Sequence, residues 1–304
     1  MKRTRAQLIN QLKAEGLTFS SFTLTHEGNY AASDADWNYK DVPHLHHLHE
    51  LVEAIISVVE DDKIATINMQ KVFGLNIPLT VFNYQSGLNS QTYYTTWLFF
   101  VLIVETVYEE IAPNRTRVNT TYSVGSSKLL SWCFPLIRWV IKRNYDNLMS
   151  TDIPMRERRG QLRSWGYSFL KDSPHYSFEK TMEIAETHVI PPKDLTTFSP
   201  ISLSLDKDLS SNGECLLGKD DHLGLRVVRS NNNIMIYPRM CPHEGASLDG
   251  QKCLNRKIRC SWHGRIFSPI AKFDLTIIQI QQATTDYHHI TIENSVLTIT
   301  QKAS

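Results

Sequence analysis

The sequence predicts two structural classes in succession: an α+β domain over residues 1–190, then a small all-β domain over 191–304. Three observations lead there. Between Ile64 and Val124, runs rich in β-branched and aromatic residues alternate with turn residues, and helical periodicity frames them on both sides. Residues 170–200 read as a linker, with Pro191-Pro192 near its end. Beyond the linker the apolar runs shorten and the turns tighten, as in small β domains.

Taken in order, residues 2–15 predict a short surface helix with Leu8, Ile9 and Leu12 on its apolar side, ended near Gly16. Leu17–Leu24 is strand-like, and a polar connector follows to residue 40. From Pro43 to Val59, the residues Leu45, Leu48, Val52, Ile55 and Val59 recur every three or four positions, which predicts one helix with Pro43 in its first turn. Four strands are then expected: Ile64–Phe73, Leu79–Tyr84, Thr92–Glu109 and Thr116–Val124. Helices follow at Leu129–Asn147 and Met155–Trp165, separated by Ile153-Pro154. In the second domain strands are expected at Leu225–Val228, Ile234–Tyr237, Lys257–Arg259, Ile277–Ile280, His289–Ile292 and Val296–Ile299. Antiparallel strands with flanking helices make the first domain an α+β layer arrangement.

Composition narrows the function. Lysine and arginine number 32 against 31 aspartates and glutamates, so no broad basic footprint for nucleic acid exists. Five cysteines are too few, and odd in number, for a disulfide-stapled secreted scaffold. The longest apolar run, Trp97–Val104, falls far short of the about 20 residues a bilayer span needs. Leu129–Ile141 is interrupted by Pro135 and Arg138, and no apolar stretch follows the basic N-terminus. A cytoplasmic, reducing location is the expectation, and the sequons at Asn114 and Asn119 carry little weight there.

The sharpest chemical signal is Cys241-Pro-His243-Glu-Gly-Ala, followed after 16 residues by Cys260-Ser-Trp-His263-Gly. Zinc accepts two thiolates and two imidazoles on one ion. A Rieske [2Fe–2S] cluster takes two cysteines on one iron and two histidines on the other. One residue between Cys241 and His243 closes poorly on a single tetrahedral ion, yet it reaches two different irons.

Cys-x-His followed by Cys-x-x-His at this separation resembles the Rieske motif. The resemblance places Cys241 and Cys260 on one iron, and His243 and His263 on the other. Gly245 and Gly264 stand where a tight backbone turn is needed. High-potential respiratory relatives carry an extra cysteine beside each ligand pair. Ala246 and Trp262 stand there instead, so the sequence resembles the ferredoxin and oxygenase type. With Arg265 rather than serine after Gly264, few hydrogen bonds to the cluster sulfurs are expected, and hence a potential near the low end for Rieske centres.

The first domain offers Asp41-Val-Pro-His44-Leu-His-His-Leu-His49. Asp-x-x-His-x₄-His resembles the motif of the Rieske non-haem iron oxygenases. There, two histidines bind mononuclear Fe(II), a later carboxylate completes a facial triad open to O₂, and the aspartate links the iron to the cluster. The resemblance assigns His44 and His49 to the iron and Asp41 to the link. Ser150-Thr-Asp152-Ile-Pro-Met-Arg-Glu157 resembles the segment bearing the third ligand, with Asp152 first and Asp146 second in order. Positions 44 and 49 lie ~140° apart round a regular helix, whereas His44 with His47, or His46 with His49, converge more simply. The alternative for all of these histidines is the polar side of an amphipathic helix, and for Asp152 a helix N-cap. Val107–Val118 resembles the strand–turn–strand of a START-like (SRPBCC) helix-grip domain. In the oxygenases the Rieske domain comes first; here it follows, and Asn38 only loosely matches a polar residue expected before the bridging aspartate.

The resemblance implies an oxidoreductase. A ferredoxin or an NAD(P)H-dependent reductase donates electrons to the [2Fe–2S] cluster, and Fe(II) activates O₂ on a small hydrophobic substrate. Transfer between subunits of a ring-shaped homo-oligomer goes with that reading. The competing function is a hydrophobic-ligand-binding domain fused to a Rieske electron carrier or redox sensor without mononuclear iron; a zinc module is the third. Phe82, Tyr84, Trp97 and Phe99 are candidates for the pocket wall or simply for the core. Cys133, Cys215 and Cys253 have no assigned partner.

Overall fold

A computed structural model describes residues 3–49, 52–72, 75–170, 178, 188–192 and 198–302. It divides into two compact units, Met1–Ala185 and Glu186–Ser304. Most of the expected linker lies outside the described residues.

In the first unit, α1 (Arg5–Ala14) begins at Thr4, whose side chain and that of Gln7 form a reciprocal capping box. It ends before Gly16, which takes a left-handed φ of 91°. Strand β1 (Leu17–Gly28) follows, then helices α2 (Ala32–Lys40) and α3 (Pro43–Leu48). Next come strands β2 (Val52–Glu60), β3 (Lys63–Val72), β4 (Leu75–Gly87), β5 (Ser90–Trp97), β6 (Phe100–Ala112) and β7 (Arg115–Ser127). They pair antiparallel in one seven-stranded sheet of order β1-β7-β6-β5-β4-β3-β2. A 3₁₀ turn (Lys128–Cys133) leads into the 31-residue helix α4 (Phe134–Ser164). Ile137, Tyr145 and Met149 of α4 pack on Phe22, Val104, Tyr122 and Val124 of β1, β6 and β7, so the sheet grips the long helix. This is the helix-grip architecture expected.

Four expectations are corrected inside it. The helix predicted for Pro43–Val59 stops at Leu48, and its second half is β2. That half is β-branched at Val52, Ile55, Ile56, Val58 and Val59, and pairing with β3 (Ile55 opposite Ile67) outweighs a periodic stripe. The strand predicted for Thr92–Glu109 is two strands, folded at Leu98-Phe99. Leu98 carries a φ of 52° there, a strained position for leucine that no glycine or asparagine announces. Helices Leu129–Asn147 and Met155–Trp165 are one helix that runs through Pro154. Pro154 faces solvent, while Met149, Asp152, Met155 and Arg156 around it are buried, so tertiary packing carries the helix past the missing N–H. The polar connector before residue 40 contains α2, whose Asp34 side chain accepts the Ala31 N–H. Of the candidate wall residues, Phe82 and Phe99 are exposed, Phe99 at the tip of the β5–β6 hairpin.

Helices α2 and α4 are locked by a buried ion cluster. Asp34 accepts from Arg159 Nε at 2.9 Å and from Arg163 Nη2 at 2.8 Å, and the Trp37 ring lies 4.1 Å from the Arg159 guanidinium. Gly160 sits in the same contact: a Cβ there would come within 2.0 Å of the Asn29 main-chain oxygen. In an open helix interior, alanine is preferred to glycine by roughly 0.5–1 kcal/mol. Here the backbone contact reverses the sign. Gly160→Ala is expected to destabilise the full chain by about 1–3 kcal/mol in urea unfolding, as overpacking does. An unchanged or raised midpoint would show that the Asn29 turn yields.

The second unit holds β8 (Ile201–Ser204), β9 (Glu214–Leu217), β10 (Leu225–Ser230), β11 (Asn233–Pro238), β12 (Cys253–Leu254), β13 (Lys257–Arg259), β14 (Ile266–Phe267), β15 (Ala271–Asp274), β16 (Gln281–Thr284), β17 (His288–Glu293) and β18 (Val296–Gln301). Sheets β8-β18-β17-β16 and β9-β10-β11-β15 pack on one another through Leu203, Leu217, Val227, Ile236, Phe273, Ile290 and Leu297. A third sheet, β12-β13-β14, stands apart from that core. Ile277–Ile280, predicted as a strand, is an irregular loop with Ile278 almost fully exposed; the strand begins at Gln281.

Candidate metal centres

Two loops of the second unit present the cysteine–histidine pairs. One follows β11; the other joins β13 to β14. Their backbones repeat one pattern. The Cys241 N–H donates to the Ala246 oxygen at 2.8 Å, and the Gly245 N–H donates back to Cys241 at 2.9 Å. The Cys260 N–H donates to the Arg265 oxygen at 2.7 Å, and the Gly264 N–H donates back to Cys260 at 3.0 Å. Each glycine lies four residues after its cysteine, with φ of 84° and 65°, so each turn needs a residue without Cβ.

The donors fall into two pairs. Cys241 and Cys260 are both buried, and each thiol bears on the other's ionisation. The rings of His243 and His263 meet at 4.8 Å, edge to face, and the Nδ1 atom of each is buried and makes no hydrogen bond. The thiols act on each other so that Cys241 is pushed up and Cys260 pulled down, the latter helped by the N–H groups of Trp262 and His263. Backbone N–H groups of His243 and Glu244 serve Cys241 in the same way. A thiol pair beside an imidazole pair, each thiol with its own N–H donors, fits two irons ligated by unlike atoms.

Sequence reasoning missed two buried neighbours. His188 Nδ1 lies 2.7 Å from Glu244 Oε1, its ring is 4.9 Å from that of His243, and its N–H donates to the main-chain oxygens of Pro242 and His243. His188 reads in sequence only as part of a boundary, because its partner is 56 residues away. Of the remaining cysteines, Cys253 Sγ lies 3.2 Å from the Tyr237 hydroxyl, and no disulfide forms among the described residues.

In the first unit, His44, His49 and Asp152 converge, all buried. His49 Nε2 is 3.0 Å and His44 Nε2 3.4 Å from Asp152 Oδ1. The 140° difficulty disappears because α3 ends at Leu48. His49 is extended (φ −108°, ψ 105°), which turns its ring back towards His44, 5.4 Å away. His46 and His47 face solvent, so the simpler pairings are not the ones formed, and Asp146 is exposed. Asp152 lies inside α4 rather than at its N-cap.

Each imidazole is held from behind. Thr151 Oγ1 lies 3.2 Å from His49 Nδ1. Asp41 Oδ2 lies 3.5 Å from His44 Nδ1, which also bonds the Asp41 main-chain oxygen. Such outer oxygens fix the tautomer and leave Nε2 for a metal. Arg156, fully buried, stands 3.6 Å from Asp152 and donates to Asn38 Oδ1 at 2.8 and 2.6 Å and to His26 Nε2 at 2.9 Å. Burial alone would lower the His44 pKa; the carboxylates of Asp152 and Asp41 beside it override burial and raise it to about 10. Burial likewise pushes Asp152 up, but bonds from His44 and His49 hold it well below the usual carboxylate range. The donor set and its burial suit a divalent 2-His-1-carboxylate site.

Comparison with known proteins bears on the second unit. Residues 203–282 match the model of the Rieske [2Fe-2S] domain, and all four cysteine–histidine donors lie within the match. No curated protein matches the chain. Among solved structures, TTHA0849 from Thermus thermophilus is similar at 13% identity, over 48% of this chain and 99% of that one, with a TM-score of 0.39. The Zhui aromatase/cyclase from Streptomyces sp. R1128 is similar at 13% identity, over 47% and 96%, with a TM-score of 0.42. Dicamba monooxygenase bound to 3,6-dichlorosalicylic acid is similar at 12% identity, over 48% and 51%, with a TM-score of 0.36. The chain carries a Rieske domain, whose chemistry is single-electron transfer. No helix among the described residues is long and apolar enough to cross a membrane.

Proposed function

We propose that the chain is a Rieske-type oxygenase component, with residues 1–190 as its catalytic domain and 191–304 as its Rieske domain. Cys241, Cys260, His243 and His263 hold a [2Fe–2S] cluster, and His44, His49 and Asp152 hold Fe(II). The observation that carries this reading is the convergence of two buried histidines and one buried carboxylate in a chain that also bears a Rieske domain. Iron held by these three side chains would supply O₂ activation, and a cluster held by the four cysteine and histidine donors would supply single electrons from a ferredoxin or reductase.

The chain's own residues supply the rest. Asp41 and Thr151 orient the two imidazoles, and the resemblance gives Asp41 the further role of coupling the iron site to a Rieske cluster. Arg156 balances the charge on Asp152 and ties that helix turn to Asn38 of α2. Burial of all three donors keeps bulk water out, and a small hydrophobic substrate is what the resemblance implies.

Metal analysis of the purified chain tests this. About three irons and about two labile sulfides per chain are expected. About two irons with two sulfides would leave a Rieske carrier without mononuclear iron. Zinc in a colourless protein would remove the cluster as well.

A further inference from the structure

We propose that the outer face of the 3₁₀ turn and the first three turns of α4 docks on an anionic lipid surface. The inner face of this segment is ordinary core: Phe134, Ile137, Ile141, Tyr145 and Leu148 all join the cluster under the sheet. The outer face is also apolar. Leu129, Trp132, Leu136 and Trp139 are exposed to 83%, 75%, 61% and 58%. The steps from Trp132 to Leu136, Trp139 and Arg143 are four, three and four residues, so these side chains line one stripe. A helix apolar on both faces, with one face bare, marks an interaction surface.

The hairpin tip extends the patch. Val101 pairs with Gly125, so Leu98-Phe99 leaves the sheet at the end where β7 passes into the 3₁₀ turn. Phe100, Cys133 and Phe134 share one core cluster, which holds the two segments together. Leu98 and Phe99 are themselves mostly exposed.

Charge selects the occupant. Lys128, Arg138, Lys142 and Arg143 are exposed around the stripe, and no aspartate or glutamate occurs from Ile111 to Tyr145. The Arg143 guanidinium lies 5.7 Å from the Trp139 ring, so cation and aromatic ring interleave. A second copy is a poor occupant. A two-fold interface would set this basic surface against itself. Tryptophan and leucine bounded by lysine and arginine are what an interfacial helix presents to anionic headgroups and the acyl boundary. None of these side chains belongs to either donor set, so the test stands independently of the function proposed above.

The experiment uses the full-length protein with two vesicle preparations at low salt, where headgroup attraction is least screened. One is phosphatidylcholine alone; in the other about a third of the lipid is phosphatidylserine. The protein is expected to sediment with the anionic vesicles, with a blue shift of tryptophan emission, and far less with the neutral ones. Trp132→Ser/Trp139→Ser, whose side chains support no core, should weaken binding roughly tenfold or more with unchanged circular dichroism. Lys142→Glu/Arg143→Glu should abolish the preference for phosphatidylserine. Absence of vesicle binding, binding that ignores both double variants, or a solution dimer that the tryptophan variant dissociates would each overturn the proposal.

Discussion

Cys260→Ser is expected to leave the protein colourless, with labile sulfide near zero and about two irons per chain lost. Thiolate, not thiol, is the ligand iron takes. The Cys260 loop is built for that form: the N–H groups of Trp262 and His263 favour the thiolate. A serine hydroxyl in the same turn stays protonated and gives no such ligand. The fold should survive the change, because the second unit's core runs between the two larger sheets and includes neither cluster loop. Cys253→Ser is the matched control, since its sulfur faces Tyr237, and the colour should persist. A Cys260→Ser protein that keeps its visible absorption would sink the ligand assignment.

The second large effect concerns the triad. Asp152→Asn should remove about one iron per chain, abolish O₂-dependent turnover and leave the cluster spectrum untouched. The metal-free protein offers a pH signature of the same site. His44 has an ordinary value of 6.5 and a folded value of about 10. A group raised by folding contributes stability in full below its unfolded value, and that contribution disappears as pH rises through the folded one. A metal at Nε2 has to displace that proton. Cobalt(II) affinity is therefore expected to climb about tenfold per pH unit from 6.5 towards 10, read by its visible absorption. In Asp152→Asn the chief partner of His44 is gone, so both the affinity and the steep slope should fall. A flat affinity in the parent protein, or cobalt binding retained in the variant, would refute the site.

These two centres differ in how far the sequence discloses them. The cluster motif is legible because each turn is local: cysteine, histidine and glycine lie within five residues, and the backbone closes on itself. The triad is legible only in its residue types. Whether His44 and His49 converge depends on where α3 ends, and that is set by β2 pairing with β3, a contact no helical stripe foretells. The β-branched run from Val52 to Val59 is the signal for it, competing with a periodicity that fits a helix equally well. Pro154 misleads for the opposite reason, since buried neighbours on both sides hold α4 together across it. His188 gives no sequence signal, because its partner Glu244 is 56 residues away, and Arg156 shows only its local pairing with Asp152, not its bonds to Asn38 and His26.

Helix α4 divides by function along its length. Its opening turns carry the tryptophan stripe, the middle supplies Asp152, and the final turns hold Arg159, Gly160 and Arg163 against α2 and the Asn29 turn. Because the last of these fixes the helix in rotation, the first can change sequence without retuning the middle. A saturation library across α4 should then show three tolerance regimes in order: permissive outer positions early, near-absolute intolerance at 152, and size-limited tolerance around 160. One helix thus meets three separate demands along its length, and only its middle stretch carries a donor of the buried triad.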